Sequence, residues 1–271
     1  SLSKAGWIMS LVSRDLDADG DPDVIVSDRK GPSRGLFWLE HPGRNKVSEA
    51  WATHRIGADG LEVMFLDVGY LNRDRHEDIL LSTRNSRMLA FYRLAGKGVR
   101  WRSELIPNPH GTPHGKAVAI ADLDGDGHAD IVHDTNTGGN RTHPGVTWLT
   151  RGRSATGPWA VMDVSGTEGV KFDLLATIDL DGDGDLDLYM VNRLLEELNI
   201  LYRNNGDGTF SDVTQTAGVD GTIDKMGLVV IAFDYNNDLW PDIYIGNDMD
   251  TGNIFYENNG DGTFTDISIE S

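Results

Sequence analysis

The feature that most constrains this chain is that it repeats five times. A nine-residue, aspartate-rich stretch begins at Asp15 (DLDADGDPD), Tyr70 (YLNRDRHED), Asp122 (DLDGDGHAD), Asp179 (DLDGDGDLD) and Asp234 (DYNNDLWPD), at intervals of 55, 52, 57 and 55 residues. An independent register of aromatics falls at Trp38, Tyr92, Trp148, Tyr202 and Tyr256. A third falls at Trp51, Trp101, Trp159, Phe210 and Phe264. Three registers kept in phase five times make the unit structural. Units of this length bury their apolar faces by stacking on one another.

Each unit reads as four short strands. In the third, KAVAIA (116–121) leads through the Asp stretch to DIVHD, then to VTWLT and WAVMDV. Units four and five place NNGDGTF at 204–210 and 258–264, where Asn-Gly and Asp-Gly supply the positive-φ residues of a tight hairpin. Strands of about five residues between turn signals predict an all-β fold. Tandem four-stranded antiparallel units predict a five-bladed β-propeller with the Asp loop between the first two strands of each blade. A linear solenoid is the other arrangement open to such units. The first strand of each unit is the most continuously apolar (VMFL, AVAIA, LVVIAF), which places it on the crowded inner wall. No linker interrupts the series, so residues 1–271 are expected to form one domain, with blades near 4–57, 58–110, 111–165, 166–220 and 221–271. The chain opens on a first strand and ends on a last one, so five blades are expected to close flush as a compact monomer.

The Asp stretches pose an electrostatic problem. Two like charges about 4 Å apart repel by roughly 1 kcal/mol in water and about 4 kcal/mol at a protein-surface dielectric. The five stretches hold 20 of the 43 acidic residues in a chain of net charge −19. A polar turn needs one aspartate, not four. A hard cation accounts for the rest: oxygens at positions 1, 3 and 5 turn inward, position 6 bends, and the carbonyl at 7 and carboxylate at 9 close the shell. All-oxygen ligation of this kind favours Ca²⁺ over Mg²⁺. An EF-hand is excluded, because position 12 is Val26, Leu81, His133, Met190 or Ile245 instead of glutamate, and lies in a β-type run.

This spacing, "aDLDGDGhaDIv" between two strands once per unit, resembles the FG-GAP/VCBS repeat of integrin-α-like calcium-binding propellers. Units four and five (LYRNNGDGTFSDVT, FYENNGDGTFTDIS) are most similar to the bacterial repeats found beside ASPIC/UnbV domains. The resemblance implies structural calcium in the loop joining the first two strands. Loops one, three and four match the motif fully. Their implied ligands are Asp15, Asp17, Asp19 and Asp23 with the Asp21 carbonyl; Asp122, Asp124, Asp126 and Asp130 with the His128 carbonyl; and Asp179, Asp181, Asp183 and Asp187 with the Asp185 carbonyl. Loop five keeps Asp234, Asn236, Asp238 and Asp242 but has Leu239 where glycine belongs. Loop two has Tyr70 at position 1 and Arg75 at position 6, keeps only Asn72, Asp74 and Asp78, and is expected to hold no tight ion. Three or four structural Ca²⁺ are therefore expected.

The rest of the sequence narrows the function. A chain this acidic repels nucleic acid and anionic membrane. It has no cysteine, and no apolar run approaches the roughly 18 residues that span a bilayer. Calcium takes the place of disulfides as a staple, so an extracellular or periplasmic setting is expected, with any signal peptide already missing from the sequence. Chemistry beyond calcium is sparse. His110 and His114, and likewise His133 and His143, could be zinc ligands but read first as satisfied loop histidines; the repeat-position tryptophans read as packing. Function is therefore expected at the strand ends opposite the Asp loops, which are richer in Arg, Lys and Asn. Candidates there are Arg29, Arg84, His110, His114, Asn136, Arg193 and Asn247, with Lys4, Glu62, Lys116, Lys171 and Lys225 near the starts of the first strands. The expected role is a binding or adhesion module for a glycan or protein. Two alternatives stand: a carbohydrate-active enzyme of lyase or dehydratase type, using His110, His114, Arg84 and Arg193, and a structural set of blades without a ligand.

Overall fold

The computed structural model describes residues 5–85, 87–135, 142–152, 157–167, 172–192, 198–221, 225–248 and 252–268. It is all-β: five four-stranded antiparallel sheets in tandem, the blades of a β-propeller fold. The first sheet runs β1 (Ile8–Arg14), β2 (Asp23–Asp28), β3 (Gly35–Glu40), β4 (Ala52–Gly57). The second runs β5 (Val63–Gly69), β6 (Asp78–Thr83), β7 (Arg87–Arg93), β8 (Trp101–Pro107). The third runs β9 (Gly115–Ala121), β10 (Asp130–Thr135), β11 (Val146–Thr150), β12 (Ala160–Asp163). The fourth runs β13 (Phe172–Ile178), β14 (Asp187–Asn192), β15 (Ile200–Asn204), β16 (Phe210–Asp212). The fifth runs β17 (Gly227–Phe233), β18 (Asp242–Asn247), β19 (Ile254–Asn258), β20 (Phe264–Asp266). Strands pair in chain order within every sheet. Each Asp stretch joins the first strand of a sheet to the second, as the repeat predicts.

The chain divides into two compact units, residues 1–120 and 121–271. In the first, Ile25, Leu36 and Trp38 pack with Val63, Leu66, Ile79, Leu81 and Phe91. In the second, Tyr189, Val191 and Leu201 pack with Ile243, Ile245, Ile254 and Tyr256. Successive side chains of a strand face opposite ways, so alternate residues of adjacent blades meet in these two clusters. Tyr189 is wholly buried, so its hydroxyl needs an acceptor, and it donates to the Val219 carbonyl at 2.6 Å.

Burial varies with a strand's place in its sheet. The second strands are the deepest: β6, β10 and β14 are buried at every residue. First strands vary: β9 is buried at all but one residue, whereas β1 and β17 are only partly covered, with Leu11 and Ile231 half-exposed. The reason is positional. A second strand has a hydrogen-bonded neighbour on each side and apolar cover on both faces, whereas a first strand is a sheet edge. Several first strands also carry a register irregularity near their start, between Ile8 and Ser10, Phe172 and Leu174, and Gly227 and Val229. Of the repeat-position tryptophans, Trp38 and Trp148 are buried, whereas those opening fourth strands are half-buried, Trp101 under Arg93 (5.6 Å), Trp159 under Arg151 (4.1 Å) and Trp51 edge-on to His41 (4.7 Å).

Candidate metal centres

The Asp loops curl through one recurring set of backbone-to-carboxylate hydrogen bonds. The position-1 carboxylate accepts the position-6 amide: Gly20 to Asp15 (3.0 Å), Gly127 to Asp122 (2.9 Å), Gly184 to Asp179 (3.2 Å) and Leu239 to Asp234 (2.9 Å). The position-3 side chain accepts the position-5 amide, as from Asp19 to Asp17 and from Asp183 to Asp181. The position-5 carboxylate accepts the position-7 amide: Asp21 to Asp19, His128 to Asp126 and Asp185 to Asp183. This winding needs left-handed backbone at two places. Position 6 has φ of 92° at Gly20, 81° at Gly127 and 96° at Gly184; position 4 has 66° at Gly125 and 75° at Gly182. Glycine enters that region without the Cβ clash that other residues meet.

The result gathers acid. Carboxylate oxygens lie within 4.8 Å of one another in three groups: Asp15, Asp17 and Asp19; Asp122, Asp124 and Asp130; Asp179, Asp181 and Asp187. These are the three loops whose sequence matches the motif fully. Asp126 stands beside its cluster with its amide bonded to Asp122 and Asp124, and Asp183 beside its own with its amide bonded to Asp181. The position-9 aspartates are buried and hold the loop to its sheet: one oxygen of Asp187 accepts the Leu180 amide (3.0 Å), the other the Asn204 amide (2.9 Å). Asp23 does the same for Leu16 and His41. Burial, with like charge from Asp124 and Asp122, pushes the Asp130 carboxyl up to about 6. Burial, with Asp181 and Asp183, pushes Asp187 up to about 7. Asp17, Asp124 and Asp181 are raised for the same first reason, loss of solvent. A cation placed among such groups favours their charged forms. Clustered, partly desolvated carboxylates are a donor set that suits Ca²⁺.

Loops five and two depart as their sequences do. Loop five takes the same winding, with Leu239 at φ 78° and its side chain 89% exposed. Its Asn236 amide donates to Asp238 (2.8 Å) and Glu257 (3.1 Å), so a side-chain N–H eases some of the acid crowding. Loop two keeps the Asn72 and Asp74 bonds, but Tyr70 offers its position-6 residue, Arg75, no carboxylate. Asp78 is buried, accepts the Arg93 amide, and is raised to about 6 mainly by burial.

The last residue of a third strand also reaches the preceding loop. Arg93 donates to the Leu16 carbonyl, Asn204 to Leu123 (2.8 Å) and Asn258 to Leu180 (2.9 Å). The same residues' amides sit on the position-9 aspartate of their own blade. Loops one, three and four are thereby each held from the blade that follows as well as from their own. Beside loop four lies a hollow of about 490 Å³, lined by Asp181, Asp187, Arg203, Asp261 and Phe264 among others.

Comparison with known proteins now bears on this arrangement. A model of the FG-GAP-like repeat matches residues 70–133 and 179–245, spanning loops two to five. The chain carries FG-GAP-like repeats. It is 23% identical to cartilage acidic protein 1 of Xenopus tropicalis over 295 residues, covering 94% of this chain and 43% of that protein. Among solved structures it is similar to a chain in the crystal structure of BBS1N in complex with ARL6DN, soaked with mercury. That match has a TM-score of 0.57 and 12% identity over 95% of this chain and 65% of the other. The chain thus spans less than half of the curated relative and under two thirds of the structural neighbour.

The ends of the strands away from the Asp loops set out several of the residues expected to face a ligand. Arg29 and Arg84 follow β2 and β6 and approach one carboxylate, Glu62 (3.8 Å each). His114 donates from Nδ1 to the Arg84 carbonyl at 3.0 Å, while His110 is exposed in a short 3-10 turn with φ 53°. Asn247 closes β18 and donates to the Gly252 carbonyl (2.6 Å). Asn136 and Arg193, with Lys4 and Lys171, lie outside the described residues. Sequence reasoning missed Trp7 and Lys30 here, because neither occupies a repeat position. His133 differs from the satisfied loop histidine expected. It sits inside β10, fully buried, and neither ring nitrogen has a hydrogen-bond partner among the described residues.

Proposed function

We propose that this chain is a calcium-stabilised, extracytoplasmic binding module of adhesion type, taking a glycan or a protein at the strand ends opposite its Asp loops. The observation that carries the reading is the gathering of three carboxylates within 4.8 Å in each of loops one, three and four. Left alone, such clusters destabilise the loops that hold them. Bound calcium would supply the positive charge that makes the same clusters stabilising. Asp15, Asp17, Asp19 and Asp23, with Asp122, Asp124, Asp126, Asp130, Asp179, Asp181, Asp183 and Asp187, would hold the ions, assisted by the carbonyls of Asp21, His128 and Asp185. Asp234, Asn236, Asp238 and Asp242 would form a weaker fourth site. Extracellular modules bind calcium with dissociation constants of roughly 10⁻⁴–10⁻³ M, which suits a stabiliser outside the cytoplasm.

The ions are assigned to structure because the loops hold the blades together; the ligand is assigned to the other end. In the first unit that end carries Arg29, Arg84 and His114, donor groups in an acidic chain. Among the described residues no helix is long and apolar enough to cross a membrane. Screening the calcium-loaded protein against arrays of glycans and of extracellular proteins tests the reading. A ligand retained in calcium and released by chelation is expected. No ligand in either array would contradict it.

A further inference from the structure

The binding-module reading is the base of this inference, which names the ligand class. In the first unit, three backbone segments meet at the end of the strands away from the Asp loops. Gly6 and Trp7 donate their amides to the buried Asp28 carboxylate (3.1 and 3.0 Å), and the Arg29 amide returns to the Trp7 carbonyl (2.8 Å). The Arg84 amide bonds the Glu62 carbonyl (3.0 Å), and His114 holds the Arg84 carbonyl. The approach at Gly6 is so close that a Cβ there would lie 2.1 Å from the Lys30 oxygen, so no larger residue fits. The side chains of Trp7, Arg29, Lys30, Glu62 and Arg84 therefore stand on a fixed backbone.

Their charges do not balance locally. Arg29 Nη2 and Arg84 Nε each lie 3.8 Å from the same Glu62 oxygen, beyond hydrogen-bonding distance. The Arg29 side chain is only 13% exposed, and its buried Nε has no hydrogen-bond partner among the described residues. Lys30 adds a third cation 4.6 Å from the Trp7 ring. A buried donor without an acceptor and two guanidiniums around one carboxylate both cost stability. An added anion relieves both, and a guanidinium fork fits a carboxylate or sulfate with two parallel bonds.

We propose that Arg29 and Arg84 form a cradle for the carboxylate or sulfate group of an acidic oligosaccharide, with Trp7 offering its ring to the sugar. Trp7 is half-exposed with Arg29 and Lys30 over its ring (5.3 and 4.6 Å), so the part of the ring left open adjoins the charged clamp. The next hollow along the β2–β3 loop, about 580 Å³, is lined by Pro32, Ser33, Arg34, Arg55 and Asp59 among others; its one carboxylate, Asp59, is paired with Arg55, and it has no large apolar side chain to seat a peptide residue. Arg55 shapes this hollow by donating to the carbonyls of Ser33 (2.9 Å) and Arg34 (3.2 Å).

Calorimetric titration of the calcium-loaded chain with four probes tests the assignment: trigalacturonate, a heparin-derived tetrasaccharide, neutral maltotetraose and tetraglutamate. At least one acidic saccharide should bind, more weakly as salt rises, and the uronate and sulfate arms identify the anion. Arg29→Gln and Arg84→Gln should each weaken binding by about tenfold or more, the scale of a lost charge-assisted bond. Glu62→Gln removes the internal competitor and should tighten it. Thermal melts confirm that each variant is folded. The assignment is overturned if neither acidic saccharide binds, if both arginine variants bind as the parent does, or if tetraglutamate binds more tightly than the saccharides. A neutral glycan held equally by parent and variants overturns the cradle but leaves the binding module standing; failure of every ligand class on the arrays overturns the reading beneath it.

Discussion

His133 is the residue whose surroundings depart most from its chemistry. It occupies a strand position where the other blades carry Val26, Leu81, Met190 and Ile245. Burial pushes its imidazole down to about 3. The folded value lies below the unfolded value near 6.5, so the unfolded chain binds the extra proton. The associated stability is complete above pH 6.5 and is lost as pH falls from 6.5 toward 3, by about 1.4 kcal/mol per pH unit within that window. His133→Leu restores the apolar side chain of the sister blades and removes this pH dependence. Urea unfolding from pH 7 to pH 4.5 should show the parent losing stability more steeply than the variant, with equal slopes as the contrary result. Sequence placed His133 at position 12 but could not reveal its isolation, because the residues that fail to meet its ring are distant in the chain.

Loops and strands were legible to different depths. The Asp loops were readable because their conformation is written in residue type: aspartates at alternate positions accept the loop's own amides, and glycine takes the left-handed turn. The same reading separated loop two from the rest, since Tyr70 cannot replace a carboxylate. Hidden were the clamps from Asn204 and Asn258, whose acceptors lie 81 and 78 residues away. Within NNGDGTF these asparagines look like turn residues alone. Burial depth was also hidden, because it follows a strand's place in the sheet, and β6, β10 and β14 are buried at every residue. The loop difference predicts unequal sites. Asp181→Ala should remove one calcium equivalent in a calorimetric titration and lower the calcium-loaded melting temperature. Asp74→Ala, in loop two, should leave the calcium count unchanged; loss of an equivalent there would show that loop two binds an ion.

At the scale of the molecule, the chain places 20 of its 43 acidic residues in five short loops, keeps a net charge of −19, and has no cysteine to staple it. Three or four Ca²⁺ would cancel six to eight of those charges while tying first strand to second in each occupied blade. A ligand that binds only the folded state stabilises it by about 4 kcal/mol per site at a thousandfold excess over its dissociation constant. Two compact units, each clamped internally through its loops, have the same need for the ion. The most direct measurement is a thermal melt of the metal-free protein with and without millimolar calcium, against a chelator control. The account predicts a midpoint that rises by many degrees with calcium and falls back with chelator. A midpoint that is the same in calcium and in chelator would contradict it.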